Sequence, residues 1–287
     1  MFDLIRILRP LPDPPAAYRT PEGVYNLLPR SEKPANYVEH YQRDAQEFDY
    51  FAAPPDPATR HENQRLHEVI LRHLPAAARV VLDVGCGSAW VARELLGRKD
   101  AVISFDLALR NTTEALRLYP APSHFAVTGD VLALPFQDNS VDAIISSEVI
   151  EHVPEVTPYL ENLIRVVRPG GTIILSTPYN ETIQYSLCVH CNRPTPLHAH
   201  LHSFNEARVI SLLDPQPDIR FRMEKFSNKA LLYLRTHRLL RHFPHRLWRT
   251  VDRFANWIVD KPARLVIVIE KLEHQPSTPP TPSSSKP

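Results

Sequence analysis

The stretch from Arg79 to Leu96, RVVLDVGCGSAWVARELL, constrains this chain most. It reads as an apolar strand from Val80 to Val84, a tight turn carrying Gly85 and Gly87, and a helix with Val91, Leu95 and Leu96 on one face. Strand, glycine turn and helix in that order aim free backbone N–H groups and a helix N-terminus at a ligand. The chain has only seven glycines in 287 residues, so two of them one residue apart behind a buried strand mark backbone that must take positive φ or approach a ligand closely. A dinucleotide-binding turn would carry a further glycine where helix packs on strand. That position is Trp90, and its indole argues against pyrophosphate binding.

The alternation continues downstream. AVISFDLA reads as a second strand ending in Asp106, 19 residues beyond Gly87, where a carboxylate can accept both hydroxyls of a ribose. HFAVTGDVLALPFQDNSVDAIISSEVIEH repeats strand, loop and strand. Val156, Leu160, Leu163, Ile164 and Val167 then mark an amphipathic helix stopped by Pro169-Gly170-Gly171, with TIILSTPYN as the following strand. FRMEKF (221–226) and ARLVIVIEKL (263–272) read as two closing strands. Strands alternating with helices imply an α/β fold with a doubly wound, mostly parallel sheet.

Residues 1–60 form a proline-rich N-terminal extension or lid with one helix from about Tyr37 to Phe51. The aromatic run HYQRDAQEFDYF could fold over a ligand or pack as an ordinary helix on the core. Residues 61–273 make the main domain, opened by a helix that carries Leu66, Val69, Ile70 and Leu74. Residues 274–287, almost all proline, serine and threonine, read as a disordered tail.

DVGCGSAW resembles the glycine loop of class I S-adenosylmethionine-dependent methyltransferases, with Ser88-Ala89 where that family usually continues with Thr-Gly. TGDVLALPF resembles the family segment whose aspartate contacts the adenine amino group, and VDAIISSE resembles the fourth strand, whose end lies beside the transferring methyl. The resemblance is close from about Leu66 to Pro178 and points to the methyltransferase type 11, ubiquinone-biosynthesis-like group. It implies a Rossmann-like, seven-stranded sheet with a helical insert before the last strand, and S-adenosylmethionine as cofactor. It further implies cofactor contacts from Asp83, Gly85, Gly87, Asp106, Leu107, Asp130, Val131 and Glu148. YRTPEGVYNLLP resembles the end of a small zinc-ribbon segment that precedes some methyltransferase domains, without that ribbon's cysteines.

Glu148, Glu151 and His152 form E-x-x-E-H, and a helical turn would put all three on one face. Two carboxylates and an imidazole suit Mg²⁺ or Mn²⁺. The pattern resembles that of metal-assisted O-methyltransferases, in which a later histidine completes the site, and His200 and His202 are available for that place. The alternative is a histidine that merely packs beside the cofactor. His152 is also the first candidate for a catalytic base. Cys188 and Cys191 have the C-x-x-C spacing of a Zn²⁺ knuckle, with His190, His198, His200 and His202 nearby; two thiols in a loop is the other reading.

Residues 228–262 make an insert of about 35 residues, long for a hairpin connection. Its leucines and tryptophans suggest two amphipathic helices broken at Pro244, with Arg235, Arg238, Arg241, Arg246, Arg249 and Arg253 on the polar positions. Such a pair could lie on an anionic membrane as a peripheral contact, or cap the substrate pocket with its arginines solvated. A net charge of +1 gives no strong nucleic-acid signal. Three cysteines fit a reducing compartment, MFDLIRILRP is too short and charged for a signal peptide, and no run approaches the roughly 20 apolar residues of a membrane span. These features predict a cytoplasmic, or membrane-peripheral, enzyme acting on a small-molecule or lipid-linked hydroxyl, with no signal for an oligomeric state. The competing readings are a nicotinamide-dependent oxidoreductase, an RNA-directed or other nucleic-acid methyltransferase, and a non-catalytic scaffold with the methyltransferase fold.

Overall fold

A computed structural model describes residues 2–29 and 36–273 of the chain, so the proline- and serine-rich tail lies outside the described residues. Two short 3-10 turns (Leu4–Ile7 and Pro15–Tyr18) lead to β1 (Tyr25–Asn26), α1 (Asn36–Glu47) and α2 (Pro57–His73). The alternating unit follows: β2 (Val80–Val84), α3 (Trp90–Leu95), β3 (Ala101–Asp106), α4 (Leu109–Leu118), β4 (His124–Thr128), β5 (Val141–Ser147), α5 (Val156–Val166) and β6 (Val167–Pro178). A small hairpin, β7 (Tyr185–Leu187) and β8 (Pro194–Pro196), precedes α6 (Glu206–Leu213) and β9 (Ile219–Asn228). The insert contains α7 (Lys229–Tyr233), α8 (His237–Leu240) and α9 (His245–Ile258), and the chain returns through β10 (Pro262–Lys271).

The strands form one sheet in the order β1-β4-β3-β2-β5-β6-β10-β9. β1 to β6 are joined by parallel pairings, and β10 runs antiparallel to both β6 and β9. The seven strands expected from the family resemblance are joined by an eighth, β1, in which Tyr25 and Asn26 pair with Val127 and Thr128. A two-residue strand has no periodicity to read, so the sequence carries no sign of it.

Because side chains alternate across a strand, each apolar run supplies both faces of the sheet. Val81, Val102, Ala143, Ile145 and Ile174 pack with Leu66 of α2, Trp90 of α3 and Trp248 of α9. Leu82, Ile103, Ile144 and Ile173 pack on the other face with Leu160 and Leu163 of α5 and Val209 of α6. Leu4 and Leu8 belong to that second cluster, and the Arg9 and Gln137 N–H groups donate to Pro135 O and Ile7 O at 2.8 and 2.7 Å. Residues 2–29 therefore share the main core instead of making one of their own.

The insert breaks at Pro244 as its sequence suggests, and its first half is split again into α7 and α8. α9 is tied to the end of β9 by Asp252, buried on its inner face, whose carboxylate accepts the N–H groups of Ser227 (3.0 Å) and Asn228 (2.7 Å). Arg65 of α2 is also fully buried and donates to the carbonyls of Leu240 (2.9 Å) and Phe243 (2.7 Å) behind the Trp248 ring. A carboxylate that serves two buried N–H groups is expensive to remove, since both donors lose their acceptor. Asp252→Ala should lower stability by about 2–3 kcal/mol, read as a fall in the denaturant midpoint. An unchanged midpoint would mean that α9 does not depend on this anchor.

Candidate functional site

Strand order reverses at β2, with β3 and β4 on one side and β5 and β6 on the other, so a crevice opens beyond the C-terminal ends of these strands. The glycine loop lies in it. Gly85 has φ +71°, and a Cβ there would stand 2.4 Å from Val149 Cγ2, so no other residue fits without displacing the β5 end. The Gly85 and Cys86 N–H groups donate to Phe105 O (2.8 and 3.0 Å). Gly87 N–H donates to one Asp106 carboxylate oxygen (3.0 Å), while Ala108 N–H donates to the other (2.9 Å). Asp106 thus bridges the glycine loop to its own strand end. Burial pushes its carboxyl upward, against the two N–H donors, which favour the charged form.

A cavity of about 690 Å³ lies over this bridge, a size suited to a small organic cofactor. Gly85, Gly87, Asp106, Leu107, Asp130, Val131 and Glu148, all expected at a cofactor, line it together. Asn111, missed in the sequence, lines it too and hydrogen-bonds Asp106 from the first turn of α4. Asp83 does not reach the wall. It lies beneath the loop, 1 % exposed, with one oxygen unpartnered, and burial beside the Asp106 charge pushes its carboxyl well above the usual range. The start of α3 is likewise absent from the wall, contrary to the expectation of a helix N-terminus facing the ligand. Trp90 turns instead to α2, where its ring stacks on His67 at 3.9 Å between centroids.

The roof is α1 and the turn after it. Tyr37, His40, Tyr41, Asp44, Phe48 and Tyr50 face the cavity, and the Tyr37 hydroxyl donates to the Asp130 carboxylate. Gln42 donates to Leu107 O (2.7 Å), while Arg110 of α4 holds the Ala45 and Gln46 carbonyls (2.7 and 2.6 Å). Lid and packed helix, the two readings of the aromatic run, are one helix: it packs on α4 and covers the cavity. The insert does not take that role, because none of residues 228–262 lines the cavity.

At the β5 end, Glu148, Glu151 and His152 do not share a helical face. Glu148 has φ +58°, which reverses the chain there; its carboxylate accepts from Ser176 Oγ (3.0 Å) and pairs with Arg264 of β10. Glu148 therefore leaves the expected metal set, and nothing in a strand pattern marks Arg264 as its partner. Glu151, His152 and His200 do come together, with one ligand atom from each within 4.8 Å of the others. The N–H groups of Leu201 and His202 donate to Glu151 O (2.7 and 3.2 Å), which carries His200 to this place. His202 is engaged elsewhere, with Val153 O and the Arg208 guanidinium.

The trio has an unusual polarity. Glu151 is 1 % exposed, neither carboxylate oxygen has a hydrogen-bond partner of good geometry although the Thr177 hydroxyl lies against it, and burial pushes it up to about 8. His152, also pressed by burial, falls to about 4 and so stays uncharged near neutrality. His152 Nδ1 lies 3.2 Å from Ala199 O, and His200 Nδ1 lies 2.5 Å from a Glu181 carboxylate oxygen. Both partners only accept, so both Nδ1 atoms carry the proton and both Nε2 lone pairs are left for a ligand. Cys188 and Cys191 sit apart from these histidines, in the β7–β8 hairpin. Among the described residues no third His, Cys, Asp or Glu joins them in a metal-holding group, so the four-ligand Zn²⁺ knuckle is not formed.

Comparison with known proteins identifies the domain that carries this site. A family model described as a methyltransferase domain matches residues 82–175, the span from the glycine loop to β6. The chain carries a class I S-adenosylmethionine-dependent methyltransferase domain. A probable S-adenosylmethionine-dependent methyltransferase of Mycolicibacterium smegmatis is 31 % identical over 163 residues, covering 55 % of this chain and 60 % of that protein. A malonyl-[acyl-carrier protein] O-methyltransferase of Erwinia billingiae is 33 % identical over 97 residues, covering 34 % of this chain and 38 % of its own length. The chain thus spans less than two thirds of each of these curated relatives. The fold is also that of an S-adenosylmethionine-dependent methyltransferase from Mesorhizobium loti, with TM-score 0.53 and 16 % identity, covering 74 % of this chain and 100 % of that one.

The methyltransferase family supports S-adenosylmethionine as the cofactor, and the cavity has features that fit it: a glycine loop that a Cβ would block and the Asp106 and Asp130 carboxylates on one wall. Gly85→Ala should displace Val149 and the loop with it. Titration with S-adenosylhomocysteine should then show affinity lowered roughly tenfold or more, since a packing clash of this kind costs about 1–3 kcal/mol. Unchanged affinity would show that the loop is not at the cofactor.

Proposed function

We propose that this chain transfers a methyl group from S-adenosylmethionine to a hydroxyl oxygen of a small-molecule or lipid-linked acceptor, assisted by a divalent cation on Glu151, His152 and His200. The observation that carries the hydroxyl reading is the trio beside the cavity: a buried carboxylate with no partner and two imidazoles whose Nε2 lone pairs are free. The cofactor supplies an electrophilic methyl group, and the cation supplies a Lewis acid that lowers the acceptor hydroxyl's pKa.

Gly85, Gly87, Asp106, Leu107, Asp130 and Val131 would hold the cofactor, and His152, which also lines the cavity, stands where the cofactor and cation regions meet. Proximity and alignment are most of what methyl transfer asks of a protein. The roof helix contributes by excluding water, and Tyr37 holds Asp130 in place through its hydroxyl. His152 holds its proton on Nδ1 against Ala199 O, so its Nε2 is available to the cation or, without one, to the acceptor hydroxyl. Glu181, behind His200, fixes that ring's orientation.

With Glu148 tied to Arg264, the donor set is two nitrogens and one carboxylate. That set favours Mn²⁺ or a later first-row ion over Mg²⁺, which prefers oxygen ligands. Methyl-labelled S-adenosylmethionine and the purified chain, added to a fractionated cell extract, test the reading. Label should appear as a methyl ether, fall roughly tenfold or more with a chelator or in Glu151→Gln, and return with Mn²⁺ better than with Mg²⁺. Transfer that ignores the chelator, or label on nitrogen, carbon or RNA, would overturn the metal-assisted hydroxyl reading.

A further inference from the structure

The outer face of α9 is the most unusual surface of the molecule. The helix buries Trp248 and Asp252 toward the core, while Leu247, Phe254, Trp257 and Ile258 turn outward, with Trp257 80 % exposed. Spacings of three, four and seven put those four on one stripe. The Phe254 and Trp257 rings lie 5.8 Å apart with nothing over them among the described residues. Tyr233, Leu234 and Leu239, from the segments before α9, are also exposed.

Charge surrounds this apolar surface. Residues 229–261 hold eight Lys and Arg against two Asp, in a chain whose net charge is only +1, and one of the two, Asp252, is buried. Arg235, Arg238, Arg241, Arg246 and Arg253 are exposed and have no carboxylate partner among the described residues; only Arg249 is held, by Glu224. We propose that the outer face of α9, with its flanking arginines, seats this chain on the surface of an anionic lipid bilayer. Exposed aromatic and aliphatic side chains enter the headgroup region, and guanidinium groups beside them meet lipid phosphates. No helix among the described residues is long and apolar enough to cross a membrane, so the contact is interfacial.

The charge pattern selects lipid over a second copy of the chain. A two-fold contact through this face would set the same arginines opposite one another. Topology gives the contact a use. The insert joins β9 to β10 where Asn228 faces Pro262, and two residues on, Arg264 pairs with Glu148 at the cavity. The cavity and the insert therefore share one edge of the sheet, and a domain seated through α9 would bring that edge to the bilayer. The proposal does not rest on methyl transfer, because seating needs neither cofactor nor acceptor.

The full chain, without cofactor, is sedimented with phosphatidylcholine vesicles that either contain or lack phosphatidylglycerol. Binding should require the anionic lipid, weaken as salt is raised, and fall roughly tenfold or more in Arg246→Glu/Arg253→Glu and in Phe254→Ser/Trp257→Ser. These residues are exposed, and circular dichroism checks that the variants stay folded. Of the three tryptophans, Trp90 and Trp248 are 7 % and 2 % exposed, so a blue shift of emission on vesicle addition reports Trp257 entering lipid. Absence of binding, equal binding to both vesicle types, or binding that survives both double variants would overturn the proposal. A dimer that forms through the face and leaves vesicles unbound would overturn it as well.

Discussion

The Asp106 carboxylate holds the two halves of the site together. One oxygen accepts from Gly87 in the loop after β2, the other from Ala108 at the start of α4, so a single side chain sets the distance between the loop and the end of β3. Hydrogen bonds to a charged carboxylate are worth roughly 1.5–3 kcal/mol each, enough to offset part of the cost of burying it. The cost is visible in the neighbouring Asp83, whose carboxyl is forced upward by burial and by the Asp106 charge. With Asp106 held by two N–H donors and the Asp83 carboxyl pushed upward beneath it, the loop floor is fixed by hydrogen bonds and still has carboxylate lone pairs facing the cavity.

From that floor the rest of the site follows by topology. β2, β3, β4 and β5 end side by side, so Gly85, Asp106, Asp130 and Glu148 reach one cavity although 63 residues separate the first from the last. The positive φ of Glu148 turns the chain sharply, which sends its carboxylate to Arg264 and leaves Glu151 buried without a partner. Two histidines from different segments then face that orphaned carboxylate. An unpartnered buried acid is costly in isolation, and the proposed cation between it and two imidazoles would remove the cost.

The strands were readable because a sheet covered on both faces needs near-continuous apolar runs, and VVLDV, AVISFD and VDAIISS are such runs. The glycine loop was readable because few glycines occur elsewhere. What stayed hidden depends on direction more than on residue type. Glu148 looked like a metal ligand because spacing alone assumes a helical turn, and only its φ shows otherwise. α9 has apolar residues on two sides, so the pattern could not say whether Trp248 or Trp257 turns inward. Asp83 sat in the expected motif, yet the strand carries it under the loop and away from the wall. β1 and the place of Tyr37 over Asp130 depend on contacts between distant segments, 93 residues apart for that pair.

The central claim is that the loop and the Asp106 carboxylate form an S-adenosylmethionine site. Calorimetric titration of the purified chain with S-adenosylhomocysteine, with Asp106→Ala and with NADH as comparisons, tests it most directly. Saturable one-to-one binding that is lost in Asp106→Ala, with no heat from NADH, is the predicted result. Absence of binding to the unaltered chain, or equal affinity in the variant, would contradict the account.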